Sequence, residues 1–324
     1  MLASRRGSFL ACTTILLSCH SRYNLRTVAG MSTSSSVCDG DGVGPSITVV
    51  PQSKLYVSEP NPSWFGNGPN ESGNPTWNTE SKNWLKSRFH FSFAEYRNGK
   101  NTNFGVLRVM NDDLVQPLRG FGAHPHANME IITYIVEGHL THKDSLGTEE
   151  TIGRGSVQFM TAGRGIRHSE KNLDEKPLRF IQTWITPAAY SLSPNYGSYC
   201  GKLSLEGRRN NFFHLVSSVG NSSASAPVQV NQDIDGYVAE IELGKSASVA
   251  VGLGRQAYLL CIEGSVKVNG QNLNRHDACE IIGSDNGLVT VETIKVEATE
   301  TGEIAHVLIF IMEEDKDSSG RGDL

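Results

Sequence analysis

Two runs of β-branched and aromatic residues, each interrupted by a glycine, constrain the fold of this chain more than any other feature. TYIVEGHLTH begins at Thr133, and AYLLCIEGSVKVNG, which begins at Ala257, repeats its pattern with Gly138 aligned on Gly264, 126 residues later. Such runs favour strands, and a fixed internal offset is typical of a duplicated unit. With 33 glycines in 324 residues, the repeat predicts an all-β protein of two antiparallel β-barrel domains.

Two short motifs on either side of the first run combine residues that bind first-row metals. His124 and His126 form one pair, and His168 and Glu170 form the other. Each pair has i, i+2 spacing, which places both side chains on one face of a strand. The glycine-rich stretch TAGRG before the second pair favours a tight turn that brings it back towards the first. Two facing strands would then offer three imidazoles and one carboxylate with coordination positions left open, as in a catalytic metal site.

The carboxylate of this set has two candidates by spacing alone. Glu130 follows His126 by four residues and has the same strand parity, whereas Glu170 follows His168 by two. Spacing leaves both open.

Several other polar residues are not predicted to bind metal. His90 is expected on the second face of an aromatic strand, FHFSFAEY, and His139 and His142 on opposite faces of the strand after Gly138. Asn111-Asp112-Asp113 is predicted to form a turn, because Asn and Asp there hydrogen-bond their own backbone. In the second half, His276 and His306 stand alone and are expected to be hydrogen-bonded or on the surface.

The motifs HPHANME, YIVEG and GSVQFMTAGRGIRHSEKN resemble the two motifs of the cupin superfamily and, more closely, those of the pirin family. The stretches WLKSRFHFSFAEY, FGVLRVMNDD and RFIQTWITP are similar to the flanking sequence of bacterial pirins that cleave flavonols. The resemblance covers most of residues 84–187 and is weaker in the C-terminal half. It implies a bicupin, in which both barrels are jelly rolls.

The same resemblance implies the metal ligands. Residue by residue, the family's iron ligands match His124, His126, His168 and Glu170. Glu130 would then support a ligand from behind or take part in a structural hydrogen bond. Fe(II) is the implied metal. A set of three histidines and one carboxylate also accepts Mn, Co, Ni, Cu or Zn, so the ligands alone do not name the ion.

The resemblance implies quercetin 2,3-dioxygenase activity, with a flavonol and dioxygen as substrates and Glu170 as the base for the flavonol hydroxyl proton. The alternative is an iron-binding, redox-sensing regulatory protein of the transcription-cofactor type, and a third option is a cupin that binds metal without turnover. At the repeat offset, Ala250, Gly252 and Gln256 replace His124, His126 and Glu130. The second barrel is therefore expected to lack a metal site.

Composition along the chain predicts the domain limits. We expect a flexible linker at 39–78, the metal-binding barrel at 79–190, a crossing segment at 191–235, the second barrel at 236–313 and a disordered tail at 314–324.

Residues 1–38 have the composition of a targeting segment. They contain four arginines and twelve Ser or Thr, with no acidic residue before Asp39, which predicts import into a plastid or mitochondrion. Secretion through the apolar stretch 9–17 is an alternative, and a start at Met31 would instead leave the protein in the cytoplasm.

The charge balance argues against a protein that coats nucleic acid. When the four arginines of residues 1–38 are left out, the chain carries 25 basic and 34 acidic side chains, which is a net charge of −9. The six cysteines include no CxxC pair, which does not suggest a disulfide framework. We expect a monomer without direct nucleic-acid or membrane binding.

Overall fold

The computed structural model describes residues 44–316, apart from 72, 222 and 223, and its regular secondary structure is almost entirely strand. Residues 44–199 contain β1 (Ser46–Val50), β2 (Tyr56–Ser58), β3 (Leu85–Phe89), β4 (Leu107–Val115), β5 (Gly120–His126), β6 (Glu130–Glu137), β7 (His139–Asp144), β8 (Glu149–Gly153), β9 (Val157–Thr161), β10 (Ile166–Lys171), β11 (Leu178–Ile185) and β12 (Asn195–Tyr199). The first of these, β1, joins the second half of the fold, and the others form the first half.

The second half contains β13 (Phe213–Ser218), β14 (Val228–Val230), β15 (Ile234–Ile241), β16 (Ser246–Ala250), β17 (Arg255–Glu263), β18 (Ser265–Val268), β19 (Gln271–Asn274), β20 (Ala278–Ile282), β21 (Leu288–Lys295), β22 (Glu297–Thr299) and β23 (Gly302–Glu313). Short 3₁₀ helices span Gln52–Lys54, Pro62–Phe65 and Gly201–Ser204, and α1 spans Leu205–Arg208. In the described part of the chain, no helix has the length and apolar character needed to cross a membrane.

Each half is a sandwich of two sheets. In the first, a seven-stranded sheet in the order β12-β9-β6-β11-β4-β3-β2 faces a four-stranded sheet in the order β5-β10-β7-β8. In the second, the order β1-β20-β17-β23-β15-β13-β14, with β22 beside β23, accompanies a four-stranded sheet in the order β16-β21-β18-β19. The predicted all-β, two-domain jelly-roll fold is confirmed. The sheets remain open and do not close into continuous barrels.

The internal repeat corresponds to equivalent elements of the two halves. β6 and β17 are central strands of the large sheets, and each leads through a glycine into the small sheet. Gly138 has φ +74° and Gly264 has φ +73°. An added Cβ would lie 2.5 Å from Pro177 O at the first and 2.4 Å from Lys295 O at the second. Both turns therefore require glycine for conformation and for space.

The largest hydrophobic cluster joins the two halves. Ile132, Tyr134 and Val136 of β6 pack in the same cluster as Tyr258 of β17 and Phe310 of β23. These three positions alternate with Ile131, Thr133 and Ile135, which face the other way. One face of the first half's large sheet therefore packs against the second half. The opposite face lines the interior of the first sandwich.

Two of the predicted linkers form strands where the structure describes them. Within 39–78, β1 pairs with β20 of the second half and β2 pairs with β3 of the first. Within 191–235, β12 pairs with β9, and β13 to β15 belong to the second large sheet. The stretch 39–78, predicted to be a flexible linker, thus contains two paired strands, and the predicted crossing segment 191–235 contains strands of both large sheets. Edge strands take their order from a partner sheet distant in sequence. Residues 1–38 and 317–324 lie outside the described residues, so the targeting segment stays a prediction.

The predicted turn at Asn111-Asp112-Asp113 was wrong. These residues continue β4, which pairs with β3 on one side and β11 on the other. Asp112 forms a buried ion pair with Arg179, at 2.8 Å, and His276 Nδ1 lies 2.6 Å from the same carboxylate. Partners from other strands thus overcome the local turn preference of Asn and Asp. The aromatic strand is shorter than expected, since β3 ends at Phe89 and His90 is buried against the Tyr258 hydroxyl.

Candidate metal centre

The structure brings the three predicted histidines together on the small sheet of the first half. β5 and β10 pair antiparallel with His124 opposite His168 and His126 opposite Ile166. The imidazole centroids are 4.8 Å apart for His124 and His126, 4.5 Å for His124 and His168, and 4.9 Å for His126 and His168. One ligand atom from each lies within 4.8 Å of the others. This spacing is compact enough for all three to reach one ion.

The contacts of the histidines orient their ring nitrogens towards one another. Gly122 O lies 2.7 Å from His124 Nδ1, so Nδ1 donates its hydrogen there and Nε2 is the nitrogen left to coordinate an ion. Burial first, and the neighbouring imidazoles second, lower the pKa of His126 and of His168 to about 3. Both rings are therefore unprotonated at neutral pH, which is the form that coordinates metals.

Glu170 is buried beside this cluster and is held by three side-chain donors. Gln158 Nε2 donates to Oε1 at 2.8 Å, Thr133 Oγ1 donates to the same oxygen at 3.2 Å, and Gln182 Nε2 donates to Oε2 at 2.8 Å. A register shift in β10 between His168 and Glu170 displaces the carboxylate from strict alternation. Glu170 groups with His168 and His142 at metal-binding distances.

Glu130 lies on the other face of β6 from Thr133 and is not part of the cluster. Its carboxylate accepts hydrogen bonds from the backbone N–H groups of Asn231 and Gln232, at 2.8 and 3.0 Å, and from Thr161 Oγ1 at 3.2 Å. These contacts fix the turn before β15 of the second half. The geometry thus places Glu170 beside His168 and Glu130 in a structural hydrogen-bond network, and the assignment of Glu170 as the carboxylate ligand stays a prediction.

His142 belongs to the cluster although sequence reasoning set it aside. It is 1% exposed, its Nε2 lies 3.0 Å from Asp144 Oδ2, and its ring stacks on Tyr196 at 4.3 Å. His142 Nδ1 is buried without a hydrogen-bond partner among the described residues. His139 is exposed, so the predicted opposite orientation of the two is confirmed. The signal for His142 was its parity with Leu140, an apolar residue of the inner face.

An aromatic cavity of about 150 Å³ adjoins His124, His126 and Glu170. Its walls include Phe65, Phe89, Phe93, Phe121 and Trp184. An apolar cavity of about this volume holds one benzene-sized ring. The site thus combines neutral metal donors with room for an aromatic ligand.

Phe65 comes from the segment predicted to be a linker. Its ring meets His124 edge-on, with centroids 6.5 Å apart. A Cβ on Gly122 would lie 2.8 Å from Phe65 O. This close approach needs glycine in β5, and it explains how residues before 78 come to line the cavity.

The donor set fits a divalent first-row cation. Three imidazoles with a carboxylate at their side leave coordination positions open for exogenous ligands. Among the described residues, both groups of three His, Asp, Glu or Cys side chains at metal-binding spacing lie in the first half. Ala250, which stands where the repeat would place a histidine, is an exposed residue at the end of β16.

Comparisons with known proteins match the two halves to separate family models. The Pirin family model matches residues 74–185, and the model of the quercetinase C-terminal cupin domain matches residues 215–310. A pirin-like protein of Caulobacter vibrioides is 39% identical over 213 residues, which make up 65% of this chain and 89% of that relative. The chain belongs to the pirin family.

Two further pirin relatives come from Escherichia coli. A quercetin 2,3-dioxygenase of strain K12 is 34% identical over 200 residues, or 61% of this chain and 83% of the relative. The crystal structure of the bacterial pirin YhhW in complex with nickel(II) covers 83% of this chain and 100% of its own, with 26% identity and a TM-score of 0.65. The resemblance inferred from the motifs is confirmed, and all four candidate ligands lie in the part that the Pirin model matches.

Proposed function

We propose that His124, His126, His168 and Glu170 bind one divalent cation, Fe(II) in the native protein, and that this pirin cleaves a flavonol as a quercetin 2,3-dioxygenase. Three imidazoles cluster within reach of one ion, and two of them, His124 and His126, line an aromatic cavity, which supports the proposal. Relatives named quercetin 2,3-dioxygenase support the substrate class. Nickel in a related pirin supports a metal site but does not name this chain's metal.

A divalent cation held by these residues would supply Lewis acidity at the site, which would make the flavonol hydroxyl proton more acidic. Glu170 accepts that proton. Gln158 donates to one carboxylate oxygen of Glu170 and Gln182 to the other, so the acceptor oxygen is fixed before the substrate enters. Trp184 packs edge-on against His126 with centroids 4.7 Å apart, which limits the rotation of that ring and excludes water from one side of the site.

The aromatic walls orient the flavonol and keep solvent away from it. In the overall reaction, dioxygen adds across the heterocyclic ring, both of its atoms stay in the ester product, and one ring carbon leaves as carbon monoxide. The oxidised species is the flavonol and the reduced one is dioxygen, so no further reductant is consumed. The chain's own contribution is binding, orientation and proton transfer.

The test is aerobic turnover by protein purified without oxygen and reconstituted with Fe(II). We expect oxygen consumption and carbon monoxide release in equal amounts when a flavonol is added. Iron binding without oxygen uptake on any flavonol would overturn the enzymatic proposal and favour the redox-sensing alternative. Reconstitution with Mn, Co, Ni, Cu and Zn in parallel identifies which ions support turnover.

A further inference from the structure

β4 presents two polar side chains to the aromatic cavity. Asn111 and Asp113 line it, while Asp112 between them points to the second half and pairs with Arg179. Asn111 lies opposite Gln182 of β11, the residue whose amide holds Glu170. The polar pair therefore sits on the wall of the same cavity that reaches the candidate ligands.

Asn111 has an unused acceptor in this wall. The residue is 3% exposed, and its Oδ1 is buried without a hydrogen-bond partner among the described residues. Buried polar atoms in folded proteins nearly always have a partner, so an orphan acceptor beside a cavity indicates that the partner is supplied from the cavity. An N–H or O–H group of a ligand would meet this requirement.

Asp113 adds a second polar group beside the first. Ser87 of β3 lies opposite it and donates to its carboxyl. Burial first, and then the charges of Asp112 and Glu170, raise the pKa of Asp113 to about 8 against the lowering effect of Ser87. At neutral pH this carboxyl is mostly protonated, so the wall offers a hydrogen-bond donor as well as the Asn111 acceptor.

Resting on the proposed function, we propose that the cavity is a subsite for a hydroxylated aromatic ring, whose hydroxyl group donates to Asn111 Oδ1 and lies against Asp113. The volume of about 150 Å³ suits one ring. A hydroxyl group both donates and accepts, so it satisfies both wall residues at once. An unsubstituted ring fills the same space but leaves the Asn111 acceptor unpaired. The subsite thus selects ring-hydroxylated flavonols over unsubstituted ones.

Two ligands with the same metal-binding end separate this role from a structural one. Quercetin carries hydroxyl groups on its outer aromatic rings. 3-Hydroxyflavone has none on those rings, but it keeps the pair of oxygens on the heterocyclic ring that would face the metal. Dissociation constants are measured without oxygen on metal-loaded full-length protein. We expect the wild type to bind quercetin at least tenfold more tightly, and Asn111→Leu to remove about tenfold of that preference.

The ratio of the two dissociation constants, rather than either constant alone, is the decisive readout. General damage to the cavity weakens the binding of both ligands and leaves this ratio unchanged. Asn111→Val is the second variant in case leucine prevents folding, since a β-branched residue suits the strand. Asn195→Leu, on the exposed face of β12 in the same sheet, is the matched control and should keep the wild-type preference. Metal content is measured for each variant.

Unchanged preference in a folded Asn111 variant would overturn the subsite and leave the proposed function intact. Equal affinity of the wild type for the two ligands would do the same. A wild type that binds neither ligand and consumes no oxygen would instead overturn the proposed function and the subsite with it.

Discussion

At the scale of single residues, the site separates two carboxylates that look equivalent in the sequence. Glu170 and Glu130 each accept several hydrogen bonds, but the first faces the histidines and the second faces the turn before β15. Replacing Glu170 with Gln removes the basic oxygen but keeps the volume and one oxygen that can coordinate a metal. We expect metal binding to persist while turnover falls by ~10²- to 10⁴-fold.

Glu130→Gln is the matched control for that variant. It should leave turnover nearly unchanged and lower the free energy of unfolding by about 1–3 kcal/mol, because buried N–H donors lose a charged acceptor. Oxygen uptake, metal analysis and thermal melting distinguish the two. A fully active Glu170→Gln protein would show that another group removes the proton.

The histidine cluster gives a second prediction at this scale. His126→Ala should remove most of the bound metal and leave the strands folded, because one of three clustered nitrogens is lost. His139→Ala, which changes an exposed side chain, should retain full metal content. Metal analysis after dialysis, with circular dichroism as a folding check, measures both. Full occupancy in the His126 variant would contradict the assignment.

Asp113 gives a prediction of pH dependence. Its pKa is raised from 3.8 to about 8 in the fold, so the native state holds a proton that the unfolded chain releases. Its contribution to stability is complete below about pH 4 and is lost as the pH rises towards 8, at up to about 1.4 kcal/mol per pH unit. Asp113→Asn should abolish this loss. Chemical unfolding of both proteins at pH 5, 6 and 7 measures it, and parallel curves would refute the raised pKa.

At the scale of elements, the sequence predicts those strands whose evidence is local. Spacing predicted the β-branched runs of β6 and β17 and the glycine turns after them. It also predicted the pair His124 and His126 in β5 and the pair His168 and Glu170 in β10. β1, β12 and the NDD stretch of β4 were not, because their order comes from partners distant in the chain. Asp112, for example, meets His276 from 164 residues away. Spacing likewise did not indicate that the segment around Phe65 covers the site.

β1 supplies the prediction at this scale. It pairs through five residues with β20, and Val50 is 5% exposed. A chain that starts at Leu55 should lose stability on the order of 3 kcal/mol, from lost backbone hydrogen bonds and the burial of Val50. A chain that starts at Asp39 keeps β1 and should unfold like the full protein. Urea unfolding compares them, and equal midpoints would show that β1 is dispensable.

At the scale of the whole molecule, buried ion pairs join the two halves along the hydrophobic interface. Arg154 of the first half donates to both carboxylate oxygens of Glu263, at 3.1 and 2.7 Å. His306 Nδ1 lies 2.9 Å from the same carboxylate, and its Nε2 lies 3.0 Å from the Tyr134 hydroxyl. The second half thus holds charged groups of the first half in place, and we expect the two halves to unfold together.

Glu263→Gln tests this coupling. The variant leaves Arg154 buried with a weaker partner, so the free energy of unfolding should fall by roughly 3 kcal/mol. Hydrogen bonds from His306 and Arg154 hold the pKa of Glu263 below its usual value, so its stabilisation is present above about pH 4.5 and is lost as the pH falls below it. The difference between wild type and variant should therefore shrink in acid. Metal affinity at pH 7 should stay within about twofold, since Glu263 is outside the cluster. Separate unfolding midpoints for Trp fluorescence and circular dichroism in the wild type would contradict a single cooperative unit.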